Sequence, residues 1–281
     1  MSKKMLLILL VLSLVLVIVG CSEDVPEDMV LVEAGTTSED NGEVTVEEDF
    51  YISKYHVTQA EFKEVMGFNP SLFEGNPDHP IETVTWYDAV KYANELSEAE
   101  GLDKYYDISD IEYKGEDAKV FEHPENIDDA KVTENEGANG YRLPANNEWE
   151  YAARGGTDGD ATAYAGSDNL DEVGWYEGNS DAYKLEEFQE ENEDQINEEI
   201  LEFFSNNVMT MPVGELEANE LGLYDMSGNV WDWTNTSSGS DRAGYGGSWF
   251  HYASHCEVSV SVNDRPSVSN FILSFRLARR P

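Results

Sequence analysis

Thr58-Gln59-Ala60-Glu61 and Thr85-Trp86-Tyr87-Asp88 each set a threonine hydroxyl three residues ahead of a carboxylate. This reciprocal pattern satisfies the free N–H groups at the start of a helix. Val57 and Phe62 flank the first box as a hydrophobic staple, and Gly67 supplies the stop. After the second box, Trp86, Ala89, Val90, Ala93 and Leu96 recur at helical spacing toward an end near Gly101. A third helix is predicted from about Asn147 to Ala153, with Arg154 and Gly155 where the dipole and the cap favour them. From Trp231 onward the chain is glycine-rich and β-like. Val258, Val260 and Val262 alternate with serines there as a half-buried strand would. The fold must therefore accommodate a few short helices and a long, irregular, glycine-rich remainder.

The start of the chain carries an address. Lys3 and Lys4 precede an apolar run from Met5 to Val19, the charged and apolar regions of a secretory signal. The run is shorter than the roughly twenty residues of a spanning helix. It ends in Ile18-Val19-Gly20-Cys21, which resembles the bacterial lipobox. Residues 1–20 are thus expected to be removed, with Cys21 carrying lipid and residues 21–28 serving as an acidic tether. The expected location is the cell envelope, anchored to a bacterial membrane. Acyl chains on one residue hold it there, at about 0.8 kcal/mol per buried methylene.

Only two cysteines are present, Cys21 and Cys256. Lipidation uses the first, so no internal disulfide is available. The formal charge of −41 argues against nucleic acid and anionic head groups as partners. Residues 29–281 read as one domain with two acidic insertions, at about 103–140 and 181–209. The first lacks firm periodicity. The second scatters Leu185, Phe188, Ile196, Ile200, Phe203 and Phe204 among glutamates, as amphipathic acidic helices would.

Seven ordered blocks resemble the formylglycine-generating enzyme (sulfatase-modifying factor) family. They are Met29-Val30-Leu31-Val32, Tyr55-His56-Val57-Thr58, Pro80 to Trp86, Arg142 to Gly156, Gly222 to Trp233, Gly246-Gly247-Ser248-Trp249 and Phe275-Arg276. The resemblance implies an α+β, C-type-lectin-like fold with low regular secondary structure. It also raises an activity: members that oxidise a substrate cysteine hold copper between two thiolates five residues apart. Soft Cu(I) selects such a pair. Here Cys256 matches the second position, and His251 stands at the first. A lone thiol behaves as a small packed hydrophobe.

Two metal patterns follow from the same resemblance. His251, His255 and Glu257 spell H-x-x-x-H-x-E, a spacing that resembles the iron triad of related sulfoxide synthases. Theirs lies on a helix, where residues four apart share a face, whereas here the pattern falls in a loop-and-strand stretch and reads as coincidence. The family's calcium ligands map onto the side chains of Asp225 and Asp232 and the backbone carbonyls of Gly228 and Val230. Hard oxygen ligands of this kind suit Ca²⁺ as structural cement. Asp232 stands where the family has a longer glutamate.

The C-terminal segment departs from the family in a patterned way. Where relatives have asparagines, this chain has Phe, His, Tyr, Ser, Val, Asp and Ile, each reachable from an asparagine codon by changing only adenines. That substitution pattern resembles variable proteins diversified by retroelements. Residues 250–274 contain no Lys, Gln, Met or Trp. The expected ligand-contacting positions are Phe250, His251, Tyr252, His255, Val262, Asp264, Val268, Phe271 and Ile272. Aromatic side chains on a rigid scaffold give large contact area at small entropic cost.

Three readings of function stand on the sequence. The first is a lipid-anchored, non-catalytic protein that binds a protein or glycan through the C-terminal segment. The second is a formylglycine-generating oxidase of exported sulfatases, with copper and Cys256. The third is a structural lipoprotein.

Overall fold

The computed structural model describes residues 26, 28–38, 40, 42–119, 122–180 and 210–281. Residues 1–20, Cys21 and the stretch 181–209 lie outside the described residues.

Four short strands come first: β1 (Met29–Val32), β2 (Gly35–Thr36), β3 (Thr45–Val46) and β4 (Phe50–Ser53). β1 runs antiparallel to β4, and β2 to β3. Helix α1 (Gln59–Met66) follows, with both halves of its capping box made: Thr58 N–H donates to Glu61 Oε2 at 2.8 Å, and Glu61 N–H to Thr58 Oγ1 at 3.3 Å. Gly67 ends it in the left-handed region at φ 84°. Helix α2 (Trp86–Ala99) repeats the device with Thr85 and Asp88. Such caps contribute about 1 kcal/mol each. They place both helix starts where the sequence puts them.

The stretch read as lacking periodicity holds an antiparallel hairpin, β5 (Tyr106–Tyr113) with β6 (Ile127–Glu134). Its register shifts beyond Ser109, beside Asp110 at φ 53°, which breaks the simple alternation that a sequence scan detects. Buried Tyr106 and Ile127 anchor it. Asn94 on α2 bonds both the Tyr106 carbonyl and its N–H, at 2.7 and 3.1 Å.

Helix α3 (Asn146–Ala153) and the short α4 (Leu170–Val173) lead to a four-stranded sheet. It comprises β7 (Trp231–Ser238), β8 (Asp241–Tyr245), β9 (Ser261–Asp264) and β10 (Leu273–Ser274), in the order β10-β7-β8-β9. The predicted valine strand is shorter than expected. Val258 is buried before a turn closed by Val260 N–H on the Glu257 carbonyl at 2.9 Å, so only Val262 of the three lies in β9. Finally β11 (Ala278–Arg279) returns to pair with β4.

Two apolar clusters form the core. One gathers Phe62, Trp86, Tyr92, Trp231, Trp233 and Phe275; the other gathers Phe50, Ile52, Trp149, Tyr151 and Tyr245. Buried indoles need a partner for their N–H. Trp86 donates to the Thr234 carbonyl at 2.9 Å and Trp233 to the Val84 carbonyl at 3.2 Å. Among the described residues no helix is long and apolar enough to cross a membrane.

Candidate functional site

β7 carries Asp232 between Trp231 and Trp233 into the junction of the two clusters, where the residue is 0% exposed. A carboxylate there requires cations and donors. It has them: Arg276 Nε–H donates to Oδ2 at 2.6 Å, Trp149 Nε1–H to the same oxygen at 2.9 Å, and His56 Nδ1 sits 2.9 Å from Oδ1. Burial alone would raise the pKa of Asp232, but Arg276 and His56 hold it well below the usual carboxylate range. The other guanidinium N–H groups of Arg276 reach the carbonyls of Ser53, Lys54, Tyr224 and Asp225. One ion pair thus ties β7 to the segments beside β4 and β11.

At Asp232 this arrangement leaves no oxygen for the expected calcium ion. Both oxygens of Asp232 are taken by protein donors, one of them a guanidinium. Asp225 Oδ2 accepts the Gly214 N–H at 2.8 Å, Oδ1 is buried without a partner, and burial raises the pKa of the group. Among the described residues no three His, Cys, Asp or Glu side chains are grouped to hold a metal. Gly228, one of the expected carbonyl ligands, has φ 86°, and a Cβ there would lie 2.2 Å from the Trp175 carbonyl oxygen. Its identity is thus explained by backbone packing. Val230, another, is a core side chain.

The C-terminal segment divides. Phe250, His251, His255 and Phe271 come together. Ring centroids of Phe250 and Phe271 are 5.9 Å apart, those of Phe250 and His251 6.1 Å, and those of His251 and His255 5.2 Å. Tyr252 stands beside them, 58% exposed. Val262, Val268 and Ile272 instead lean on the first core cluster, partly buried. Asp264 accepts the N–H of Arg265 at the end of β9. None of the nine is fully buried, and of them only Tyr252 is exposed, the other eight being partly buried.

Trp249 and Phe73 support that group from below, with Phe73 to Trp249 at 5.7 Å. Phe73 is held in turn by Glu82, whose Oε1 accepts its N–H at 2.9 Å, while Oε2 accepts the Thr83 hydroxyl at 2.6 Å. Burial pushes the Glu82 carboxyl up to about 7 even against these donors.

Neither redox pattern assembles. Cys256 is 0% exposed, its thiol pushed up to about 12 by burial, and its side chain packs with Leu170 and Val173. A thiol in this state is inert, because the thiolate is the reactive form and the metal ligand. His251 Nδ1 lies 2.6 Å from the Ser248 hydroxyl and also accepts the Trp231 indole N–H at 3.3 Å. Burial and the neighbouring His255 lower its pKa to about 4, so it is a neutral acceptor at physiological pH.

Sequence reasoning passed over His56, Trp149, Arg276 and Glu82 as individual side chains, although each lies within a recognised block. A usable signal was present: the aspartate flanked by tryptophans in Trp231-Asp232-Trp233 cannot be buried without a cation, and Arg276 in Phe275-Arg276 is one.

The chain matches the family model described as "Sulfatase-modifying factor enzyme 1-like domain" over residues 21–281. It is 42% identical over 269 residues to the chaperone protein LppX of Paenibacillus barcinonensis, covering 90% of this chain and 91% of the relative. Treponema denticola variable protein 1 superposes with TM-score 0.68 and 27% identity, covering 90% of this chain and 95% of that one. The crystal structure of CarF gives TM-score 0.65 and 25% identity, over 92% of this chain and 99% of the other. These likenesses agree with the α+β, C-type-lectin-like architecture described above.

Proposed function

We propose that this chain, which belongs to the sulfatase-modifying factor enzyme 1-like domain family, is a non-catalytic envelope lipoprotein that binds a polypeptide through Phe250, His251, Tyr252 and His255. The observation that carries this reading is the local chemistry of the segment. The one thiol of the domain is sealed beneath it, and the side chains above it are half-exposed aromatics and imidazoles backed by a rigid tryptophan floor. Large, stiff side chains on such a base suit recognition. That a 42% identical relative is named a chaperone supports a polypeptide as the ligand. Likeness to a variable protein supports sequence variation as part of this reading. Lipid on Cys21 would hold the domain at the membrane where exported chains emerge.

The test uses the full chain with an unfolded secreted enzyme as client, followed by light scattering. Suppression of aggregation is expected, and the double variant Phe250→Asp, Tyr252→Asp should lose it while circular dichroism shows it still folded. Equal suppression by the variant would remove this face from the reading. Copper-dependent aldehyde formation on a cysteine peptide, lost in Cys256→Ser, would replace it with the oxidase. If the face is also diversified, genes from sibling isolates should differ at template adenines under these positions while Gly246 to Trp249 stay fixed. Isolates that differ evenly along the gene would exclude diversification.

A further inference from the structure

A second surface lies away from the C-terminal segment. Between β1, α1 and α2 opens a cleft of about 940 Å³, a volume at the upper end of ligand-binding pockets. Its floor is apolar: Val57 and Leu277 are buried there, with Val65 and Leu96 partly so. Its walls carry Asp28, Glu61, Glu64, Glu95, Glu98 and Glu100. No lysine or arginine is among the described residues that line it. Lys91 answers Glu95 at 2.9 Å and Lys104 answers Glu98 at 2.6 Å. Thr58 and Tyr141 hydrogen-bond Glu61 and Glu100 without neutralising them. A surplus of negative charge therefore faces an apolar trough.

His56 adds an independent observation. It lines the same cleft and is 1% exposed. Its Nδ1 is held by Asp232, and Nε2, on the opposite edge of the ring, is buried without a partner. A buried polar atom left without a partner is costly. The field converges there as well: burial raises the pKa of Tyr92, and Glu61, Glu100 and Glu64 raise it further.

We infer that this cleft is a docking site for a polypeptide segment that carries lysine or arginine among apolar side chains. The apolar side chains fill the trough and the cations meet the carboxylate walls. The inference goes beyond the reading of the C-terminal face, since it concerns a different surface and different chemistry.

Fluorescence anisotropy of the full chain with a labelled peptide alternating lysine and leucine tests it. Saturable, salt-sensitive binding is expected. The double variant Glu64→Lys, Glu95→Lys should weaken it by about tenfold or more, while the equally charged control Glu47→Lys, Glu112→Lys changes it by less than about twofold. A glutamate–leucine peptide should not bind, and a lysine–serine peptide should bind far less. The variant Phe250→Asp, Tyr252→Asp should bind like the wild type, which separates failure of the cleft from failure of the other face. No binding, equal losses in both charge variants, equal affinity for the lysine–serine peptide, or loss of binding in the C-terminal-face variant would each overturn the inference.

Discussion

Replacing Asp232 with alanine removes the carboxylate that pairs with Arg276 in a site where both residues are 0% exposed. Four backbone carbonyls still accept from the guanidinium, but they supply no counter-charge. The indole N–H of Trp149 and Nδ1 of His56 lose their acceptor in the same step. Breaking one side of a buried pair costs about 3–5 kcal/mol, a large part of the roughly 5–15 kcal/mol that holds a typical domain together. Urea unfolding followed by tryptophan fluorescence should therefore show a lowered midpoint at unchanged slope. The double variant Asp232→Leu, Arg276→Met should recover much of the loss, because the buried guanidinium is no longer left without its carboxylate. The wild-type midpoint and these differences should be the same in chelator and in millimolar calcium, since the carboxylate is occupied by protein donors. A loss below about 1 kcal/mol, or a double variant less stable than the single one, would refute the reasoning. A calcium-dependent midpoint abolished by Asp232→Ala would restore the metal site.

Three further outcomes can be measured. Glu82, with its pKa raised to about 7 in the fold from an ordinary 4.5, contributes stability that is whole below pH 4.5 and lost as pH rises through 7. Glu82→Gln should therefore gain on the wild type by about 2.5 kcal/mol between pH 5 and pH 8, and a pH-independent difference between the two would refute the shift. Cys256 should resist iodoacetamide at pH 8 in the native protein and react fully in urea; prompt native labelling would show the thiol to be open. Palmitate should label the wild type and not Cys21→Ala, whereas equal labelling would remove the anchor.

What was legible in the sequence is what depends on near neighbours in the chain. The capping boxes at Thr58 and Thr85 close within one turn, so three-residue spacing suffices to read them, and the helices begin where it says. The hairpin of Tyr106–Tyr113 with Ile127–Glu134 was not legible, because its shifted register destroys the alternation and the bond from the Tyr106 hydroxyl to Asn235 Oδ1 spans 129 residues. The Asp232 cluster was hidden for the same reason. Its carboxylate could be found as part of a block, but the shorter side chain lies with Arg276 and Trp149, contacts that span 44 and 83 residues. Of the nine C-terminal positions, the aromatics and histidines group together, whereas Val262, Val268 and Ile272 share the codon pattern but are drawn to the core by their apolarity.

The way β11 is held has a consequence in time. Ala278 is gripped on one side by Ile52 of β4 and on the other by Arg142, with Arg142 N–H on the Ala278 carbonyl at 2.8 Å and Ala278 N–H on the Arg142 carbonyl at 2.7 Å. A polypeptide made from its N-terminus therefore holds an unpaired β4 edge and an unfilled gap beside Arg142 until residue 278 has been synthesised and released. Contacts of such long sequence separation are slow to form, and an open edge meanwhile invites pairing with other chains. Each molecule of this protein thus passes through an interval in which it is itself a client for the kind of holding activity proposed for the finished fold.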